Sequence, residues 1–360
     1  MVVRRLLNIP LRNIRLFLLF GGMLLTFAQC YGLKQATLFL RDQSRAKPID
    51  RLLQDSTLAD STRTFFKEIE RIRAFAVDSL GLEGNKNYTR FVSTDSSYLM
   101  VMLSAADSAS FTTKKWCYPF LGCFPLRSYY KIRDAKRVGR RLVRKGYEIN
   151  IDHVDGFSTL GIFSDPVYSF MAEYPVYSLA SYIFHEQTHA TVYLKNVQFS
   201  EELANFIGRE GALRYLKTWY GEDSETYRKA QEFIVDQQTY LRVLRELYNR
   251  LGDLYRRDIS RSEKLAEKAE IIADFRKLLT DRYDSLFSTQ LYRGVEKNSF
   301  NNAFLAVRMT YNLDLELFER YCAQQGGDLR KVVQFAVGLK KRKGDPKKYL
   351  RQAVDGKRQK

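Results

Sequence analysis

The chain has 360 residues, 45% of them hydrophobic, and a formal net charge of +18. That apolar content is enough for a sizeable core and excludes a disordered chain. The charge raises nucleic acid or an anionic membrane as partners, but residues 1–30 carry +4 and residues 340–360 carry +8, leaving +6 for residues 31–339; a basic nucleic-acid binder is therefore not the favoured class, and no specific nucleic-acid partner is expected.

Residues 1–30 read as a targeting segment. Four arginines without an acid lead into LFLLFGGMLLTFA, an apolar run shorter than the roughly 20 helical residues a bilayer demands. The segment ends in FAQC, where Cys30 stands at the acylated position of a bacterial lipoprotein signal, although Gln29 occupies a place that favours a small residue. Acylation at Cys30, a cleaved soluble form and an uncleaved anchor are the three outcomes, the first being preferred. The expected location is the bacterial envelope, outside the cytoplasm, where disulfides persist. In that setting Cys117 and Cys123, which flank a Pro- and Gly-containing turn in WCYPFLGC, are expected to pair, the alternative being two buried thiols. Cys322 remains as a buried apolar residue.

Beyond Cys30, YGLKQATLFLRDQ and TRTFFKEIERIRAFAVDSL have apolar residues at helical spacing. SYLMVMLSA reads as a buried strand and YEINIDHVD as a strand with one wet face. Between them Ile132–Lys145 is a basic-faced helix closed by Gly146. GFSTLGIF is a further strand, placed just before the helix SYIFHEQTHATVYL. Ser224 to about Gln290 is charged and carries leucines and tyrosines at spacings of three and four, a long helical hairpin or bundle. The last 21 residues, 340–360, read as a basic, solvated, flexible tail.

His185, Glu186 and His189 spell HExxH. Residues four apart on a helix share a face, so both imidazoles can reach one ion, while Glu186 is rotated to meet a water at the open position of that ion. Zinc lowers the pKa of such a water to about 7, and the carboxylate takes its proton and later protonates the leaving amine. The chain has three histidines and two stand in this pentapeptide, which argues against coincidence. For the third ligand a carboxylate is the better candidate, because His153, the remaining histidine, lies on a strand far upstream. Ser200 is a suitable N-cap for a second helix, SEELANFIGREGALRYL, with Glu201 and Glu202 in its first turn. Helical phase with Asn205 favours Glu201 over Glu202 and, further off, Glu210; Asn205 is then placed to hydrogen-bond a ligand imidazole.

These motifs resemble the putative aminopeptidase family of bacterial envelope lipoproteins, a gluzincin-like group with HExxH and a downstream glutamate helix. The resemblance runs from CYGLKQA through AKPIDRLL, RAFAVDSLGL, NYTRF, WCYPFLGC, FSTLGIFSDP, FHEQTHATVYLK and FSEELANFIGREG to NNAFLAVRMTYN. It implies His185, His189 and Glu201 as ligands of one Zn2+ and Glu186 as the base. Ser200 replaces a usual Asn, and Gln187 and Thr188 replace an aliphatic pair. The expected fold is α+β and mostly helical: a zincin-like core with a small mixed sheet, an active-site helix, a glutamate helix and a helical bundle, forming one domain over residues 31–339. The expected function is zinc-dependent hydrolysis of a peptide substrate, the rivals being an endopeptidase and a catalytically inactive envelope protein of the same fold. Thr159, Leu160 and Gly161 are expected on the edge strand that pairs with the substrate, and Glu202 or Glu210 could hold a substrate amine. The substrate and the oligomeric state are not legible.

Overall fold

The structure, a computed structural model, describes residues 31–118, 122–156, 164–310 and 315–356. The chain divides into two compact units between Ala46 and Lys47. In the first, α1 (Tyr31–Arg45) is the helix expected from the apolar spacing of YGLKQATLFLRDQ. Among the described residues no helix is long and apolar enough to cross a membrane.

The second unit is α+β and mostly helical. It opens with β1 (Lys47–Pro48), α2 (Ile49–Leu53), α3 (Asp60–Asp78) and β2 (Arg90–Val92). The strands β3 (Met100–Asp107), β4 (Trp116–Tyr118), β5 (Gly122–Phe124) and β6 (Leu126–Tyr129) follow, then α4 (Ile132–Val143), β7 (Tyr147–Val154) and β8 (Val167–Tyr168). Three small sheets result. β1 pairs antiparallel and β8 parallel with β2; β3 is the centre of an antiparallel sheet between β6 and β7; β4 and β5 form a hairpin. β3 is buried on both faces because α4 covers one side through Ala135, Gly139 and Leu142, and α10 (Asn302–Thr310) covers the other side, where the Ser104 hydroxyl meets the Ala303 carbonyl. Gly146, at φ +82°, ends the α4 segment in a backbone conformation that a side chain disfavours. The hairpin is closed by a disulfide between Cys117 and Cys123, whose Cα atoms lie 3.9 Å apart. Cys322 is a buried free thiol.

The helical part is built on α5 (Val176–Thr191) and α6 (Val197–Tyr220). They run antiparallel, since Glu201 lies beside His189 and Gly208 beside Ser181. Phe75 of α3 packs on Phe184 and Tyr215, at ring separations of 6.0 and 5.3 Å. Full burial of an aromatic or aliphatic side chain is worth about 1.5–3 kcal/mol, so this contact fixes the rear of the helix pair. α7 (Glu225–Arg256) and α8 (Arg261–Asp281) form the expected hairpin, with Leu244, Leu247 and Leu251 packed against Phe275 and Leu279. The short α9 (Tyr283–Leu286) follows, and after α10 the chain continues through α11 (Glu316–Gln324), α12 (Leu329–Leu339) and α13 (Pro346–Asp355).

Two expectations are corrected. Residues 346–355 are not a solvated tail: α13 is capped by Asp345, has Pro346 in its first turn, and buries Leu350 and Val354 completely while packing on α11. Lys348 and Arg351 are exposed on its outer face, Lys347 turns inward to Glu202, and the two apolar residues four apart complete the inner side. The glutamate helix does not begin at Ser200, because Asn196 caps it by accepting the Phe199 amide at 3.0 Å. The Ser200 hydroxyl instead bonds back to the Asn196 carbonyl at 3.1 Å, so Glu201 and Glu202 lie in the second turn and do not complement the helix dipole.

Candidate metal centre

α5 is extended by an apolar rear face, Leu179, Ala180, Ile183 and Phe184, which is buried against the core. This leaves His185 and His189, one turn apart, on the side that meets α6. Their Nε2 atoms are 3.1 Å apart. Glu201 reaches them from α6, with Oε2 3.6 Å from His185 Nε2 and Oε1 3.4 Å from His189 Nε2.

Two ring nitrogens turned toward each other and toward a carboxylate need a cation or protons between them. Protonation is disfavoured: desolvation, with His189 adding to it, depresses His185 to about 3, and desolvation lowers His189. Burial raises Glu201. With metal–ligand bonds of about 2.0–2.2 Å, tetrahedral donors lie roughly 3.3–3.6 Å apart; the two imidazole–carboxylate separations fall in that range and the 3.1 Å between the imidazoles is slightly shorter. His185, His189 and Glu201 can therefore hold one metal ion, and among the described residues they are the group that can.

Glu186 is 8% exposed, beside the triad and outside it. Desolvation chiefly, then Glu201 and Asp165, push its carboxyl up to about 8. A bound cation would draw it down again. Next to it opens a cavity of about 720 Å3 between α5, α6, α7 and the start of α11. His185, Glu186, Tyr182 and Arg209 line its near side, Arg242 and Arg245 of α7 one flank, and Glu316 and Glu319 another.

The remaining expected residues are distributed as follows. Asn205 lines the cavity, and its amide donates to the Glu201 carbonyl at 2.8 Å, holding the backbone of that residue and not an imidazole. Glu202 points away, fully buried, and pairs with Lys347 at 2.8 Å. Glu210 accepts from Arg209 Nε at 3.0 Å and does not line the cavity. His153 stacks on Tyr98 in the β3–β7 sheet, with centroids 4.1 Å apart. Thr159, Leu160 and Gly161, and also Cys30, lie outside the described residues.

Sequence reasoning misses the surroundings of Glu186. Tyr182, one turn before it, is pushed well up by burial and by the Glu186 charge; its position four residues back was the available signal. Tyr88 and Asp165 come from distant loops and carry no signal. Tyr88 stacks edge-on to Tyr182 at 6.0 Å, at a left-handed φ of 60°, and its amide donates to the Asp165 carbonyl at 2.6 Å.

A protein-family model described as "Putative aminopeptidase" matches residues 31–350. Neither a curated protein nor a solved structure matches the chain.

Proposed function

The chain belongs to the Putative aminopeptidase family, and from that premise we propose that it is a zinc-dependent peptidase of gluzincin type. The observation that carries the reading is the His185–His189–Glu201 triad, spaced for a tetrahedral ion, with a buried carboxylate beside it at the mouth of a cavity. Zinc held there would supply Lewis acidity and a water of lowered pKa.

The chain's own residues do the rest. Glu186, beside the triad, takes a proton from the attacking water and returns it to the leaving amine. Its dry surroundings hold that proton between the two steps. The cavity binds the peptide along α7, and Tyr182 and Arg209 are the donors on its near wall that can face a developing oxyanion. Removal of a residue from a free amino terminus needs an acid for the substrate amine; Glu316 and Glu319 line the cavity, whereas Glu202 and Glu210 do not. The envelope location rests on residues 1–30, with attachment through acylated Cys30.

The test is zinc content and peptide-library cleavage for the wild type, Glu186→Gln and His185→Ala. We expect one zinc per chain and cleavage in the wild type, zinc without cleavage in Glu186→Gln, and neither in His185→Ala. A wild type that binds zinc but cleaves nothing would identify a binding protein of the same fold, and one that binds no zinc overturns the proposal.

A further inference from the structure

The mild positive charge of residues 31–339 is concentrated in one place. Between Lys131 and Lys145 eight lysines and arginines stand against the single acid Asp134, a charge of +7, which exceeds the +6 of the whole 31–339 segment. All eight are exposed. Asp134 is buried and pairs with Arg137 at 3.3 Å; the other seven form no ion pair among the described residues.

α4 presents this charge from a fixed position. Its inner face lies so close to the sheet that a Cβ at Gly139 would meet Ile149 Cδ1 at 2.6 Å. Arg133, Arg137, Arg140 and Arg144 follow one another at spacings of four and three, and form one outward ridge. Apolar groups accompany them. Val143 in the last turn is 52% exposed, and Phe124 on the disulfide-closed hairpin is 46% exposed. The hairpin is near the start of α4, because buried Tyr129 of β6 has both Tyr118 and Asp134 as electrostatic neighbours and lies under Arg127.

We propose that the outer face of α4, with the adjoining hairpin, docks on an anionic phospholipid surface. A row of cations with exposed aromatic and aliphatic side chains at its margins fits the charged and apolar layers of a bilayer interface. A polyphosphate chain would use the cations and leave Phe124 and Val143 idle. The proposal is independent of zinc and of peptide hydrolysis, and does not require acylation at Cys30.

Flotation of the full-length chain with vesicles of phosphatidylcholine alone, or containing phosphatidylglycerol, tests this. Residues 1–30 carry +4 and add to any anionic preference, so the share of the charged face is read from the variants below, all of which keep that segment. We expect preferential binding to the anionic vesicles, weakened as salt is raised. Each cation near such a surface is worth about fivefold in partitioning. A variant with Arg133, Arg137, Arg140 and Arg144 changed to Gln should therefore lose the preference by roughly a hundredfold or more, and Phe124→Ser should weaken it further. Changing Lys341, Lys343, Lys348 and Arg351 to Gln, which removes as much charge from the C-terminal segment, should leave most of it. Equal binding of the wild type to both vesicles, or loss in the C-terminal variant but not in the α4 variant, overturns the proposal. So does competition by a DNA duplex combined with indifference to Phe124→Ser, which would mark a general polyanion surface.

Discussion

Lys347 Nζ lies 2.8 Å from Oε1 of Glu202, a carboxylate with no exposed surface in the residue after Glu201. The last helix thus anchors the turn that delivers the third donor of the triad. The same oxygen also accepts from Gln198 at 3.1 Å.

Removing one partner of a buried pair leaves an uncompensated charge and costs about 3–5 kcal/mol. Lys347→Met should therefore lower the melting temperature by several degrees and weaken zinc binding, although Lys347 is not near the imidazoles. The double variant Lys347→Met, Glu202→Gln should recover most of the stability, because no charge is then stranded. Thermal melts of the two proteins decide the matter: a single variant as stable as the wild type would mean that the pair is solvated and does not anchor the turn.

Gly208 marks the crossing of α5 and α6. A Cβ there would lie 2.8 Å from the Ser181 carbonyl oxygen and 3.4 Å from His185 Cβ. A backbone oxygen yields only if the helices separate, so Gly208→Ala should cost about 1–3 kcal/mol. Metal donors tolerate misplacement of about 0.5 Å, and we expect zinc affinity, titrated against a chelating dye, to fall at least about tenfold. Unchanged affinity would show that the helix pair absorbs the methyl away from the triad.

The centre of the site is legible in sequence for a simple reason: histidine is scarce here, and two of three stand four apart on a helix. Helical phase also separates Glu201, which meets both imidazoles, from Glu202, which turns the other way to Lys347. Local competition hides the cap, since Asn196 and Ser200 are both good N-cap residues and only the fold selects Asn196. Charge hides α13, where Asp345–Pro346 is a helix-start signature and Leu350 and Val354 form an inner stripe, but ten cations in residues 340–360 suggest a solvated segment. Tyr88 and Asp165 reach Glu186 through long-range packing, which leaves no periodic trace.

Gln187 and Thr188, the pair inside HExxH, are each 1% exposed. The Thr188 hydroxyl is satisfied by the Phe184 carbonyl at 2.7 Å, whereas Gln187 Oε1 has no hydrogen-bond partner among the described residues. A stranded buried acceptor costs about 1–3 kcal/mol. Gln187→Leu should therefore stabilise the protein by about 1 kcal/mol and leave zinc stoichiometry unchanged, as read by calorimetry and metal analysis. A loss of stability would reveal a bond made by this amide to an ordered water.

Glu186 gives the metal-free protein a distinctive pH dependence. Its carboxyl is raised from an ordinary 4.5 to about 8, so folding favours the protonated form. That contribution is fully present below about pH 4.5 and is lost as pH rises toward 8. His185, lowered from 6.5 to about 3, acts in the opposite sense and loses stability as pH falls below 6.5; this is common to both proteins compared. In the presence of a chelator, Glu186→Gln and the wild type should melt together near pH 4.5, and the variant should become the more stable by several degrees at pH 8, about 1 kcal/mol corresponding to roughly 2 °C in a chain of this size. Saturating zinc should close the gap, because the cation stabilises the carboxylate that Gln lacks. A gap that does not change with pH would mean that the Glu186 carboxylate is solvated in the metal-free protein.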